Sequence, residues 1–237
     1  MSGARGDAAP DDFEVAVVIP VRDGAAYLGE ALASVLAQDV RPAEIVVVDD
    51  GSTDESARIA RDADPLVRVV AQDARGAGAA RNRGVAETRA PWVAFLDADD
   101  RWLPGKLRLQ RDALRGLAGA VASIGMIRQF FSPELGRPGA PEPDILLGKS
   151  PGALVVRRET FLSTGGFPTD LVASEAAAWW VRFEALSPVV ARVPEVVVER
   201  RIHARNTGVV RAGEARAEFL RLAKAALDRR PRPGSVA

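Results

Sequence analysis

Residues 14–54 read EVAVVIPVRDGAAYLGEALASVLAQDVRPAEIVVVDDGSTD, and this stretch decides the fold. Residues 14–20 are β-branched and almost continuously apolar, the pattern of a strand buried on both faces of a parallel sheet. A turn at Arg22-Asp23-Gly24 follows. Residues 25–38 then have helical spacing, with Tyr27, Leu28, Leu32, Val35 and Leu36 on one side. The buried-strand pattern returns from Glu44 and ends in acidic, turn-forming residues. Strand, helix and strand of this kind make a parallel unit with a right-handed crossover.

The alternation continues outward. Asp54-Glu55 opens a helix through about Asp62, 67–71 reads as a short strand and 78–88 as a helix. Residues 91–96, PWVAFL, form a further strand that runs straight into Asp97-Ala98-Asp99-Asp100. The pattern predicts one α/β, Rossmann-like domain with a mainly parallel central sheet flanked by helices. The second half is less regular. It suggests a helix at 102–117, one or two strands in 120–131, and a proline-containing loop at 132–144. A strand at 153–156, a helix at 158–163, a turn at Gly165-Gly166, a helix at 174–186 and a strand within 193–203 follow, then a last helix at 214–228. We divide the chain into a tail (1–12), a domain at 13–212 in two halves (13–100 and 101–212), and a C-terminal helix and tail (213–237).

Composition narrows the chemistry. The 237 residues carry 32 Lys+Arg, 32 Asp+Glu, one His and no Cys. A disulfide scaffold, a Cys-zinc site and a thiol nucleophile are excluded. A balanced charge argues against broad electrostatic binding to nucleic acid. Residues 1–12 lack the apolar stretch of a signal peptide, and no apolar run approaches the roughly 20 residues that span a bilayer. The expectation is a soluble, cytoplasmic chain without a transmembrane segment.

Open parallel sheets hold ligands at the carboxyl ends of their strands. Three such ends carry polar clusters here: 20–23, 49–54 and 97–100. Asp97 and Asp99 are two residues apart, so on extended backbone they point to one side. Such a pair can hold Mg²⁺ or Mn²⁺, hard cations that complete their shell with phosphate and water. Gly76-Ala77-Gly78 suggests a dinucleotide fingerprint, but Arg81 stands where the third glycine belongs, and the reading is rejected.

Together VVIPVRDG, VVVDDGSTD, RGAGAARNRG, FLDADDRWLPGKL and GGF resemble an inverting glycosyltransferase of family 2, with its A-type fold, from about Glu14 to Asn206. The resemblance implies a nucleoside diphosphate sugar donor, an acceptor hydroxyl, and Mg²⁺ or Mn²⁺, which makes 13–100 the nucleotide-sugar half, 101–212 the acceptor half, and the 132–144 loop either a lid over the acceptor or a plain surface loop. Pro20 and Val21 would begin the nucleotide pocket, Arg22 and Asp23 replace the family's usual aromatic and Asn, and Asp49 would contact the base. Arg81 would lie near the diphosphate; otherwise it is a helix-surface residue. Asp97, with Ala98, would face the ribose or sugar, and Asp99 the metal. Trp102 and Lys106 would pack beneath this loop.

The family usually supplies its base as the Asp of a Glu-Asp pair. SEAAAWWVRF puts Glu175 at the family Glu and Ala176 at the family Asp. Glu175 is therefore the candidate base, displaced by one position; alternatively it is only a first-turn acid of a helix capped by Ser174. Asp170 is a poorer candidate. Trp179 and Trp180 are core residues or acceptor-pocket wall. His203, in RRIHARNTG, matches a family segment that closes over the diphosphate, which implies a third metal ligand or a phosphate donor; otherwise it is a strand-end imidazole. Arg205 and Asn206 would assist. The acceptor is expected to be soluble: a small metabolite, a peptide or a glycan. The alternative is a degenerate nucleotide-sugar-binding protein without turnover.

Overall fold

The computed structural model describes residues 13–135, 145–171, 173–206, 213, 217 and 218. The tail at 1–12, most of the 132–144 loop and nearly all of the 214–228 helix lie outside them. The first half alternates as expected: β1 (Val15–Val21), α1 (Leu28–Leu36), β2 (Glu44–Asp49), α2 (Ser56–Ala63), β3 (Val67–Ala71), α3 (Ala77–Glu87) and β4 (Trp92–Phe95). The second half contributes β5 (Arg101–Trp102), α4 (Lys106–Arg115), β6 (Ala122–Phe131), β7 (Ile145–Leu147), β8 (Leu154–Arg157), α5 (Arg158–Ser163), α6 (Glu175–Glu184) and β9 (Val190–Ile202).

One sheet runs β3-β2-β1-β4-β8-β6-β9-β5, with β7 on β6. It is parallel from β3 to β4 and mixed beyond, where β4, β8 and β6 pair antiparallel. Strand order reverses between β1 and β4, because β2 and β3 build out on one side of β1 and β4 returns to the other. That reversal opens the cleft in which such sheets bind ligands. Pro20 lies past the last β1–β4 pair, Val18↔Phe95, so its missing N–H costs no ladder bond on that side.

Two departures from the sequence reading matter. The helix expected from Trp102 starts only at Lys106, after Gly105 in the left-handed region at φ +79°; Arg101 and Trp102 instead pair with Glu199 and Val198 of β9. The strand expected within 193–203 is longer and pairs with β6 along its whole length, with irregularities around Met126. Together these carry the end of β9 beside the acidic turn after β4.

Both sheet faces are packed. Val17, Ile19, Leu28, Leu32, Val47 and Leu107 form one core. Phe95, Phe161, Phe167, Trp179, Trp180 and Phe183 form the other, with Trp179 stacked on Phe183 at 4.8 Å. Trp179 is fully buried and its Nε1–H donates to Thr164 Oγ1 at 2.7 Å, so both tryptophans are core residues.

Trp102 and Lys106 pack as expected. Lys106 is fully buried, its ammonium 4.3 Å from the Trp102 ring centre and donating to Gln110. Burial pushes its pKa from 10.5 to about 7. The unfolded chain therefore binds more protons between those values, and this residue makes stability rise with pH across that window. Lys106→Met should raise stability at pH 6 by about 1–3 kcal/mol, less than the full protonation cost because Gln110 loses a donor. The gain should fade by pH 10. Urea denaturation of both proteins at the two pH values checks this, and a pH-independent difference would exclude it.

Candidate functional site

The three acidic strand ends converge on the cleft at the reversal. The loop after β1 is stitched to the loop after β2: Asp23 accepts from the Thr53 N–H at 2.7 Å, and the Gly24 N–H donates to Ser56 Oγ at 2.9 Å. The Ala25 N–H donates to Asp54 Oδ2 at 2.9 Å. The backbone bond from Thr53 holds the Asp23 carboxyl below its usual range. Gly24 lies so close to Val21 that a Cβ there would meet Val21 Cγ2 at 2.8 Å, with Ala98 on its other side. Val21 and Ala98 thus both pack on Gly24, with Pro20 and Val21 buried, Ala98 half-buried and Arg22 exposed.

Asp49 and Asp50 divide their work. Asp49 ends β2, buried, and accepts from the Ser52 N–H at 2.9 Å. Asp50, which the sequence reading did not single out, accepts from the Arg75 and Gly76 N–H groups, each at 2.8 Å. It fixes the entry into α3. The second acid of DDGSTD was its only signal.

Arg81 is the centre of the site. It is 4% exposed, not a surface residue, and it reaches two carboxylates: Glu175 Oε1 at 2.9 Å and Asp97 Oδ1 at 2.5 Å. Burial opposes its charge, but Asp97 and Glu175 outweigh that and raise its pKa. Two glycines let α3 approach closely enough. A Cβ on Gly84 would meet Val18 Cγ1 at 2.3 Å, and one on Gly78 would meet the Pro168 carbonyl oxygen at 2.7 Å and Glu175 Cγ at 3.2 Å. So Gly78 serves packing. Asn82 clamps the GGF turn, accepting from the Phe167 N–H at 2.8 Å and donating to its carbonyl at 2.7 Å.

Asp99 faces the other side of the cleft. Its Oδ2 lies 2.9 Å from His203 Nε2 and accepts from Asn206 Nδ2 at 3.0 Å. The Arg205 N–H donates to His203 Nδ1 at 3.2 Å, which assigns the proton to Nε2 and makes His203 the donor to Asp99. Burial and Asp97 raise the Asp99 pKa, with His203 opposing. Asp100 is buried and accepts from the Arg201 N–H at 2.9 Å; burial, Asp97 and Asp99 push its carboxyl well above the usual range.

Ala176 packs against the aromatic core, whereas Glu175 faces Arg81. Asp170 is exposed on the loop between GGF and α6. Of the predicted residues, Arg81, Asp97 and Glu175 form an ion-paired group, and Asp99, His203 and Asn206 a hydrogen-bonded one.

Among the described residues no three His, Asp or Glu side chains converge as a ready metal site. Asp99 and His203 offer two adjacent donors, with Asp97 near enough to act electrostatically on Asp99. That partial set fits Mg²⁺ or Mn²⁺, whose remaining ligands come from phosphate and water. As a ligand, His203 would give up the Nε2 proton that it now shares with Asp99.

The fold and these residues define an α/β domain with an acidic, arginine-bridged cleft at its strand-order reversal. The family model described as Glycosyl transferase family 2 matches residues 16–144, more than half of the chain, and the chain belongs to that family. It is 42% identical over 123 residues to succinoglycan biosynthesis protein ExoU of Rhizobium meliloti, covering 49% of this chain and 35% of that protein. It is 37% identical over 142 residues to ExoO of the same organism, covering 55% and 40%. The chain thus spans well under half the length of these curated relatives. A crystal structure of S. aureus TarS 1-349 in complex with UDP-GlcNAc is similar in fold, with TM-score 0.70 and 20% identity over 90% of this chain and 65% of that one. The fold is therefore the A-type glycosyltransferase fold. No helix among the described residues is long and apolar enough to cross a membrane.

Proposed function

We propose that this chain transfers a sugar, with inversion, from a nucleoside diphosphate sugar to an acceptor hydroxyl, aided by Mg²⁺ or Mn²⁺. The observation that carries the reading is the meeting of Asp97, Arg81 and Glu175 beside the Asp99–His203 pair at the carboxyl ends of β1, β2 and β4. TarS was crystallised with UDP-GlcNAc and with UDP, which makes a uridine donor the first to assay. Asp49, Pro20 and Val21 would hold the nucleoside, with Arg22 beside them, and Asp97 the ribose or sugar. Asp99 and His203 would hold the cation, whose chemistry when bound is to neutralise charge on the departing diphosphate. Arg81 keeps Asp97 and Glu175 at fixed separation. Glu175 Oε1 is occupied by Arg81, while Oε2 has no hydrogen-bond partner among the described residues and would accept the proton of the acceptor hydroxyl. The acceptor class we favour is a soluble glycan, peptide or metabolite.

Glu175→Gln should lower kcat by about 10²–10⁴-fold with little change in the Kd for nucleotide. A transfer assay against a panel of nucleoside diphosphate sugars with Mg²⁺ and Mn²⁺, paired with nucleotide calorimetry, measures both. Cation-independent binding, or none, would overturn the reading.

Ala176 at the family base position, half-buried against the aromatic core, favours a second reading: a degenerate domain that binds nucleotide sugar without turnover. Transfer or donor hydrolysis by the wild type that is lost in both Asp99→Ala and Glu175→Ala excludes it.

A further inference from the structure

Arg201 lies at the end of β9, two residues before His203, and is 6% exposed. Three pieces of chain meet on it. Its Nε donates to the Asp99 carbonyl at 3.0 Å and its backbone N–H donates to Asp100 Oδ1 at 2.9 Å, which ties it twice to the acidic turn. Its own carbonyl accepts from Asn206 Nδ2 at 3.1 Å, which ties it to the turn carrying His203. The guanidinium lies 4.8 Å from the Tyr27 ring centre and 4.6 Å from that of Phe130, and pairs with Glu30 of α1. Tyr27 in turn packs on the His203 ring at 4.8 Å. The two backbone bonds would form with any side chain at 201, but the Nε bond to Asp99, the Glu30 pair and the contacts with two rings need a planar group with several fixed donors and two faces, which an ammonium is not.

Arg101 provides the internal contrast. It also pairs with Glu30 and lies 4.5 Å over Phe130, but its Nε goes to Glu199 and not to the acidic turn.

We propose that Arg201 is a positioning residue that locks the acidic turn 97–100 to the turn 203–206, so that Asp99, His203 and Asn206 stand assembled before any ligand arrives. The role is defined on the ligand-free protein. Only its consequence for cation affinity rests on the transferase reading given above. Groups that orient ligating side chains commonly govern affinity by 10–100-fold without touching the ligand.

The single histidine makes the test clean, because an untagged protein has one imidazole signal. Heteronuclear NMR of ligand-free wild type should show a ring whose Nε2–H is held in a hydrogen bond, the arrangement that the Asp99 and Arg205 contacts define. Arg201→Lys should replace this with mixed tautomers and fast proton exchange, whereas Arg101→Lys should leave it intact. In parallel, the Mn²⁺ concentration for half-maximal UDP binding should rise about 10-fold or more in Arg201→Lys and stay within about 2-fold in Arg101→Lys. Phe130→Leu removes one stacking face and keeps every hydrogen bond of Arg201; if Arg201→Lys does not fold, it should show the same imidazole change at smaller amplitude. An unchanged imidazole signature in Arg201→Lys, or equal effects of the Arg201 and Arg101 variants, overturns the proposal. Loss of the signature in Arg201→Lys, with no Mn²⁺-dependent UDP binding by the wild type, upholds the positioning role and overturns the transferase reading instead.

Discussion

Arg81→Ala is expected to destabilise the fold by about 3–5 kcal/mol, the usual cost of removing one partner from a buried ion pair. The Arg81 side chain is 5% exposed and that of Glu175 10% exposed, so the glutamate is left charged or forced to take up a proton in a site that water barely enters. Asp97, 32% exposed, is rehydrated more easily and contributes less. The Arg81 Nε is buried without a hydrogen-bond partner among the described residues, so the fork is held by its two terminal nitrogens. Arg81→Lys should recover about half of the loss, since one ammonium cannot span both carboxylates. Urea denaturation of the three proteins decides the matter. An alanine variant within about 1 kcal/mol of wild type would mean that the ion pairs are peripheral to the fold.

Asp99→Ala should have the largest effect on function, about 10³-fold or more in transfer rate, equivalent to several kcal/mol of lost charge stabilisation. The substitution takes away the shared acceptor of His203 Nε2 and Asn206 Nδ2 and half of the adjacent donor pair. Stability should change far less than in Arg81→Ala, because the Asp99 side chain is 29% exposed. Nucleotide calorimetry with and without Mn²⁺ separates the two effects: cation-dependent binding should vanish while cation-free binding persists. Retained cation dependence in Asp99→Ala would remove Asp99 from the site.

The effects differ because the two residues sit differently in the chain's architecture. Arg81 is part of how α3 packs onto the sheet, through Gly84 against Val18, and onto the start of α6, through Gly78 against Glu175. Asp99 stands on a turn at the cleft edge, held by side chains of the β9 end. Stability therefore rests chiefly on the buried Arg81–Glu175 pair, and the proposed chemistry on Asp99 of the DADD turn.

Much of this was legible in the sequence. Buried parallel strands announce themselves as apolar runs, and β1, β2 and β4 appear where those runs end in acids. Alternation along a strand and 3.6-residue spacing along a helix depend on near neighbours, so they survive in a linear string. The candidate residues Asp49, Arg81, Asp97, Asp99, Glu175 and His203 could be named from motifs for the same reason. The false start of α4 was local too: Pro104-Gly105 sat inside a helical pattern, and pairing of Arg101 and Trp102 with β9 prevailed.

What only the tertiary structure decided is who meets whom. Arg81 and Glu175 are 94 positions apart and Asp99 and His203 are 104 apart, distances at which no periodicity connects two side chains. The parallel pairing of β9 with β6 and its end-pairing with β5 bring the His203 turn to the acidic turn. The packing of α3 on β1 swings Arg81 from an apparent helix surface into the interior. The strands and their acidic ends were set by neighbours a few residues away; the site exists because sheet order places those ends around one cleft.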